Sequence, residues 1–229
     1  MIKSDDQDFN KLSIFKNIDE STLKLLKEKA FKKKFHRGEV LFYEKDRVDK
    51  IYLILNGKVT MYRVSEEGQK RVIYILNNGN FIDEDIFDDL PVSISCQAFE
   101  DSCILYFFKN DLLEIMSKDF KLTCIIANSM SRKIRRLYRQ LKNTVPLKMD
   151  KKLAAKLWKL SRDYGVKTTK GTLINLNISI TYLADMLGST RETISRCING
   201  FERKGMIKFH NKKIIVVDPE VLSIYFRGI

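Results

Sequence analysis

Long apolar runs are missing from this sequence, and nothing approaches the roughly 20 residues that a bilayer-spanning helix needs. The opening stretch, MIKSDDQDFNKLSIFK, carries three Asp among three Lys and lacks the apolar core of a signal peptide, so a soluble, cytoplasmic product with no membrane partner is expected. Histidine is almost absent: His36 and His210 stand alone. Two scattered imidazoles offer no clustered acid, base or nucleophile, so no catalytic residues and no enzyme are expected. The four cysteines, Cys96, Cys103, Cys124 and Cys197, show neither C-x-x-C spacing nor a disulfide framework. That disfavours zinc and iron–sulfur sites, and no metal ligands are assigned. Reduced thiols packed as small apolar groups are the expectation.

What the sequence has is positive charge, unevenly spread. Across 229 residues, 42 Lys and Arg against 29 Asp and Glu give +13, while 44% hydrophobic and 31% charged residues describe a globular chain. Residues 1–108 carry 17 basic and 19 acidic side chains, residues 109–145 carry 9 and 3, and residues 146–229 carry 16 and 7. A near-neutral front and a basic back imply two domains with different partners, the second anionic. Nucleic acid, a membrane surface or a merely solvated face would each account for the basic part.

From about Phe35 to Phe108, β-branched and aromatic runs alternate with turn residues: Val40–Tyr43, Ile51–Leu55, Lys58–Val64, Arg71–Leu76, Ser93–Phe99 and Cys103–Phe108. Gly38, Gly57, Gly68 and Gly79 punctuate them, and Glu66-Glu67-Gly68-Gln69 signals a hairpin. Regular short strands predict a closed barrel or sandwich, preceded by a helix over about Asp19–Lys33.

Between about Asp119 and Asn143 there is neither Pro nor Gly. Phe120, Thr123, Ala127, Met130, Ile134, Leu137 and Leu141 recur at spacings of three and four, a seam of about three heptads that predicts a symmetric dimer. A second stripe, Leu122, Ile125, Ile126 and Ser129, is placed to cover the β-rich domain, while Arg132, Lys133, Arg135, Arg136 and Arg139 keep the other faces wet. The alternative is a helix packed only on its own domain. Val145-Pro146 ends this helix as a hinge.

Beyond the hinge a helix is predicted over Asp150–Tyr164. In the stretch Ile180–Asn199, Ala184 is small where two helices would cross, Gly188 supplies a tight turn, and Leu183, Leu187, Ile194 and Ile198 supply apolar contacts. That spacing is a helix-turn-helix pattern. Ile207–Val217 then reads as a hairpin wing turning at His210-Asn211. On the second helix Ile194, Cys197, Ile198 and Phe201 share the core face, and Arg191, Glu192, Ser195 and Arg196 share the outward arc. Arg can grip guanine bidentately and Glu can accept from cytosine, so these four are the base-reading candidates. Ser189-Thr190-Arg191-Glu192 also fits a capping box, which would make Glu192 structural. Thr181, Thr190 and Thr193, near helix starts, are candidate phosphate contacts.

Two stretches carry a family resemblance. Gly38-Glu39-Val40-Leu41-Phe42, then Tyr52 to Val59, Gly79-Asn80-Phe81-Ile82 and Ala98 to Ser102 resemble the β-roll of cyclic-nucleotide-binding domains. Gly188-Ser-Thr-Arg-Glu-Thr-Ile-Ser-Arg196 resembles the recognition helix of the CRP/FNR family of bacterial transcription regulators, and the order of parts matches that family over nearly the whole chain. The resemblance implies an α+β fold: an antiparallel, jelly-roll-like β-roll sensor over residues 1–118, a dimerisation helix over 119–145, and a winged helix-turn-helix over 146–229. It implies a homodimer on an inverted-repeat operator in double-stranded DNA, with RNA polymerase as a further partner. Arg191, Glu192 and Arg196 match residues reading a TGTGA-type half-site, and Glu192, Ser195 and Arg196 equally match a TTGA-type set. The effector would sit between β-roll and dimer helix, near Asp83, Glu84, Ser93, Leu137 and Tyr138.

The phosphate-binding stretch departs from the cyclic-nucleotide pattern. Asp83-Glu84 stands where a Gly-Glu pair is expected, and Val92 stands at the position of the phosphate-binding Arg. Asp83, Glu84, Asp85, Asp88 and Asp89 crowd that loop with no compensating Lys or Arg expected. A cyclic phosphate would lose a charge-assisted contact and meet repulsion. Cyclic AMP is therefore not expected as effector, and its identity stays open. Haem on His36, His210, a Cys or a Met, or a thiol-based redox or nitrosative signal, are alternatives within the same fold. A cyclic-nucleotide-binding regulatory subunit, the rival from another class, would need the missing Arg and no recognition helix.

Overall fold

The computed structural model describes residues 2–4, 6–10, 12–82, 87–142 and 148–227. Two compact units divide the chain, residues 1–63 with 73–143 and residues 64–72 with 144–229.

The first unit stacks two four-stranded antiparallel sheets. One has the order β1 (Ile2–Lys3), β2 (Phe31–Phe35), β8 (Ser102–Phe108), β4 (Lys50–Asn56). The other runs β3 (Val40–Phe42), β7 (Ser95–Ala98), β5 (Lys58–Val64), β6 (Lys70–Asn77). Buried residues of this unit, among them Leu53, Ile54, Val59, Phe81, Ile104, Leu105 and Phe107, form one core from which water is excluded. Gly57 turns β4 into β5 at φ +91°, and a Cβ there would lie 2.3 Å from Ser102 Oγ and 2.7 Å from the Asp101 carbonyl oxygen. No side chain fits. This is the expected β-roll.

One expected element changes type. The helix predicted over Asp19–Lys33 ends as α2 (Glu20–Lys29), and Phe31–Phe35 is strand β2 instead. Phe31 and Phe35 lie four apart, a spacing that puts residues on one face in a helix and in a strand alike. Pairing with β8, from Phe31 opposite Tyr106 to Phe35 opposite Ser102, decides for the strand.

Two helices complete this unit. α3 (Lys109–Lys118), which the pattern did not signal, buries Leu112 and Ile115. α4 (Phe120–Lys142) starts at Asp119, whose Oδ1 accepts from the amides of Lys121 at 2.7 Å and Leu122 at 3.1 Å. Its stripe Leu122, Ile126 and Ser129 is buried on the β-roll, as expected, with Ile125 half-buried. Val145-Pro146, the expected hinge, lies outside the described residues.

The second unit contains α5 (Met149–Asp163), strands β9 (Gly165–Thr168) and β10 (Gly171–Ile174), helices α6 (Ile180–Leu187) and α7 (Arg191–Arg203), strands β11 (Ile207–His210) and β12 (Lys213–Val216), and α8 (Pro219–Arg227). The sheet order β11-β12-β10-β9 shows that the wing is a four-stranded sheet rather than a lone hairpin. Its tip turns at Asn211-Lys212, both at positive φ, one residue beyond the expected His210-Asn211. No helix among the described residues is long and apolar enough to cross a membrane.

Candidate functional site

The helix pair of the second unit is fixed by local chemistry. Ser179 caps α6 by accepting from the Tyr182 amide at 3.0 Å, and α6 stops at Gly188 in the left-handed region, φ +62°. The Gly188 and Ser189 amides return to the Ala184 carbonyl, and Ala184 is 3% exposed where α7 crosses. Ile194, Ile198 and Phe201 of α7 are buried at 0%, 1% and 2%. With that face sunk in the core, the opposite arc projects outward, and Arg191, Glu192 and Arg196 are exposed with Ser195 half-buried beside them.

The capping box foreseen from Ser189 and Glu192 does not form. Thr190 caps α7 instead: its Oγ1 accepts from the Thr193 amide at 3.3 Å and lies 3.0 Å from the Thr193 hydroxyl. Glu192 is thereby released from a structural task, with an exposed carboxylate that meets no partner among the described residues. Thr181 is exposed at the start of α6, whereas Thr190 and Thr193 are already committed to each other. The far end of α7 is tied to the wing by a bond the sequence did not signal, Glu202 Oε1 accepting from the Phe209 amide at 2.7 Å.

In the first unit, Asp83 and Glu84 lie outside the described residues. Val92 is a core side chain, 2% exposed, whose backbone pairs with Asp46 and Lys45 across the neighbouring loop. Ser93 is exposed, and so are Leu137 (41%) and Tyr138 (61%) on α4. The expectation of an acidic loop without a compensating Lys or Arg is corrected at Asp89, which pairs with Lys109 from α3, while Asp83, Glu84 and Asp85 lie outside the described residues; Lys133, from α4, donates to the Ile82 carbonyl at 2.7 Å. These cations are remote in sequence, which is why local reading missed them. Nor do all basic residues of α4 stay wet. Lys133, Arg136 and Gln140, at i, i+3 and i+7, reach the carbonyls of Ile82 (2.7 Å), Ile75 (3.3 Å) and Ile73 (3.0 Å). The last two belong to edge strand β6, and Arg136 also lies over the Tyr74 ring at 5.4 Å. The helical spacing of these donors was visible in the sequence; their carbonyl partners were not.

Of the seam residues, Phe120 is 80% exposed, Ile134 48% and Leu137 41%, with Ala127 exposed too. Thr123 is half-buried and donates to the Met116 carbonyl at 2.8 Å, and Met130 packs partly on the β-roll core. The Leu141 side chain lies outside what is described.

Comparison with known proteins agrees with this layout. A cyclic nucleotide-binding domain matches residues 32–119, and a Crp-like helix-turn-helix domain matches residues 151–224, together well over half of the chain. The chain belongs to the CRP/FNR family of transcription regulators. Within the family it is 26% identical over 200 residues to the global nitrogen regulator of a Nostoc species, covering 84% of this chain and 87% of that one. It is 21% identical over 219 residues to the CRP-like cAMP-activated global transcriptional regulator of Mycobacterium tuberculosis, covering 95% and 98%. Among solved structures, a CooA mutant from Carboxydothermus hydrogenoformans superposes with a TM-score of 0.78 at 20% identity, over 94% of this chain and 95% of that one, which speaks to the fold. The second unit is thus the DNA-binding domain of a CRP/FNR-type regulator, and this family is not one of enzymes.

Proposed function

We propose that the protein is a homodimeric, sequence-specific regulator that reads an inverted-repeat operator in the cytoplasm, controlled by an effector other than cyclic AMP. One observation carries this reading: Arg191, Glu192 and Arg196 stand exposed on one arc of a helix whose opposite face is buried. Arg donors and a Glu acceptor on a rigid helix suit the hydrogen-bonding edges of base pairs in a major groove. Ser195 completes the arc, and the Thr181 hydroxyl takes a phosphate oxygen; of Thr190 and Thr193, whichever hydroxyl accepts the bond between them keeps its own hydrogen for another. Two copies pair through the apolar arc of α4, Phe120, Ala127, Ile134 and Leu137 foremost, because these side chains are exposed and no element among the described residues of their own unit covers them. Residues 1–118 sense, 119–145 pair the subunits and 146–229 read DNA, with RNA polymerase as the partner the bound dimer recruits or blocks. The effector is assigned to Ser93, Leu137 and Tyr138, together with Asp83 and Glu84, which lie outside the described residues. It acts by differential affinity for two dimer states.

Selection of duplexes from a random library, read by sequencing, tests this. The expected product is an inverted repeat with half-site centres about one helical turn apart, and its sequence decides between TGTGA-type and TTGA-type half-sites. Recovery of unordered sequences, or binding by monomers in sedimentation, overturns the proposal. Mass and absorbance spectra of protein purified without oxygen identify the effector.

A further inference from the structure

Two adjacent residues of α8 reach two different helices. The Phe226 ring stands edge-on to Trp158 of α5, with centroids 5.8 Å apart. The Tyr225 ring stands edge-on to Phe201 of the recognition helix at 5.5 Å and receives Lys204 Nζ over its face at 4.8 Å. The Tyr225 hydroxyl turns the other way and donates to Asp150 Oδ2, in the first turn of α5, at 2.5 Å. Asp150 Oδ1 accepts from the Lys151 amide at 2.8 Å. Beneath them Leu222 and Ser223 are buried, so α8 sits firmly on the domain.

The bonds differ in kind. Ile194 and Ile198 hold α7 by apolar contact, which is non-directional and tolerates small rotations. A hydroxyl-to-carboxylate bond is charge-assisted and directional, roughly twice as strong as a neutral one. It also shows in the acidities: the bond from Tyr225 holds the Asp150 carboxyl below the usual range, and the bond to Asp150 is the chief cause that pushes the Tyr225 phenol up to about 12. A ring fixed at its hydroxyl end fixes what rests on its edge and face, here Phe201 and Lys204 in and just after the last turn of α7. Bidentate base contacts tolerate only about 0.5 Å of misplacement, so the pitch of α7 matters at Arg191 and Arg196.

We infer that Tyr225 is a positioning residue for sequence reading: anchored on Asp150, its ring sets the pitch of the recognition helix through Phe201 and Lys204. This rests on the proposed reading of DNA by α7. Its test is Tyr225→Phe, which removes the hydroxyl and keeps the ring. The measurements are affinity for the inverted repeat selected by the wild-type protein, affinity for a random duplex, and amide hydrogen exchange along α7 in the free protein. The expected result is a five- to twentyfold loss on the selected repeat, less than twofold on random DNA, and faster exchange at 200–204. The emission of Trp158, the one tryptophan in the chain, should stay unchanged because α8 remains docked. Equal losses on both duplexes, or an unaltered preference, overturn the inference. If the wild-type protein selects no repeat, the DNA reading has failed; exchange at 200–204 then decides alone, supporting the positioning role if faster and refuting it if unchanged.

Discussion

α4 and α7 are both basic, amphipathic helices with one face sunk in their own unit, yet their outward arcs are opposite in character. α7 turns Arg191, Glu192 and Arg196 outward, and those charges meet no protein partner among the described residues. α4 turns Phe120, Ile134 and Leu137 outward while Lys133 and Arg136 bend back to backbone carbonyls of the β-roll. Net charge alone is positive for both helices; asking what each charged side chain touches separates them. An outward arc of charges suits a polar partner, and an outward arc of apolar side chains suits another apolar surface.

That contrast is broken most severely by placing a charge in the apolar arc. Ile134→Glu should destabilise the dimer by about 3–5 kcal/mol, because a carboxylate buried against a second copy has no compensating partner. Sedimentation should show monomers, and operator affinity should fall with dimerisation. Ile134 is a cleaner choice than Met130, which also packs on the core of its own unit. A monomeric variant with full operator affinity would refute the pairing role. Next in size, Arg196→Ala should cost roughly 1–3 kcal/mol on the operator and leave random DNA nearly unaffected. Equal losses would make Arg196 a phosphate contact.

The same contrast explains what could be read beforehand. Much of the local structure was legible: β5 spans Lys58–Val64 as expected, α4 and α5 end within a residue of their expected bounds, and Gly188 and Ala184 sit at the turn and crossing, although α3 and the Thr190 cap were missed. Long-range pairing escaped. Phe31–Phe35 is a strand because β8 pairs with it, and Lys109 neutralises Asp89 from 20 residues away. The Glu202–Phe209 tie falls between these cases, close in sequence but with a backbone amide as donor, which no residue pattern encodes.

That tie supplies a smaller test at the polar helix. Glu202→Ala should speed exchange of the Phe209 amide and cost about 1 kcal/mol of wing stability, whereas Glu202→Gln, which keeps an acceptor oxygen, should preserve most of the protection. Identical behaviour of the two variants would remove the bond from the account. Alkaline unfolding offers another. The Tyr225 phenol, pushed to about 12, lies above its unfolded value of about 10. A raised folded value means stability fully present below about pH 10 and lost as pH rises towards 12. Denaturant unfolding at pH 9 and pH 11.5 should show a smaller loss in Tyr225→Phe than in the wild type.

The smallest expected effect is none at all, and it concerns cyclic AMP at the junction of α4 with the β-roll. A cyclic phosphate needs a cation in a site shielded from water. Val92, at the position where the resemblance puts the phosphate-binding Arg, is 2% exposed and committed to the core through side chain and backbone. Two cations at the described flanks of the loop have tasks already: Lys109 pairs with Asp89, and Lys133 holds the Ile82 carbonyl. Drawing Lys133 onto a phosphate would release α4 from that carbonyl, so binding would work against the packing of the helix it should organise. Leu137 and Tyr138 present an aliphatic and an aromatic surface there, suited to an apolar or aromatic effector more than to a base that must be hydrogen-bonded. Calorimetry with cyclic AMP and cyclic GMP should therefore give no saturable heat up to millimolar nucleotide, and operator affinity should not change on adding either. Micromolar binding with a gain in operator affinity would show that Lys133 does leave Ile82, and Lys133→Met should then abolish it.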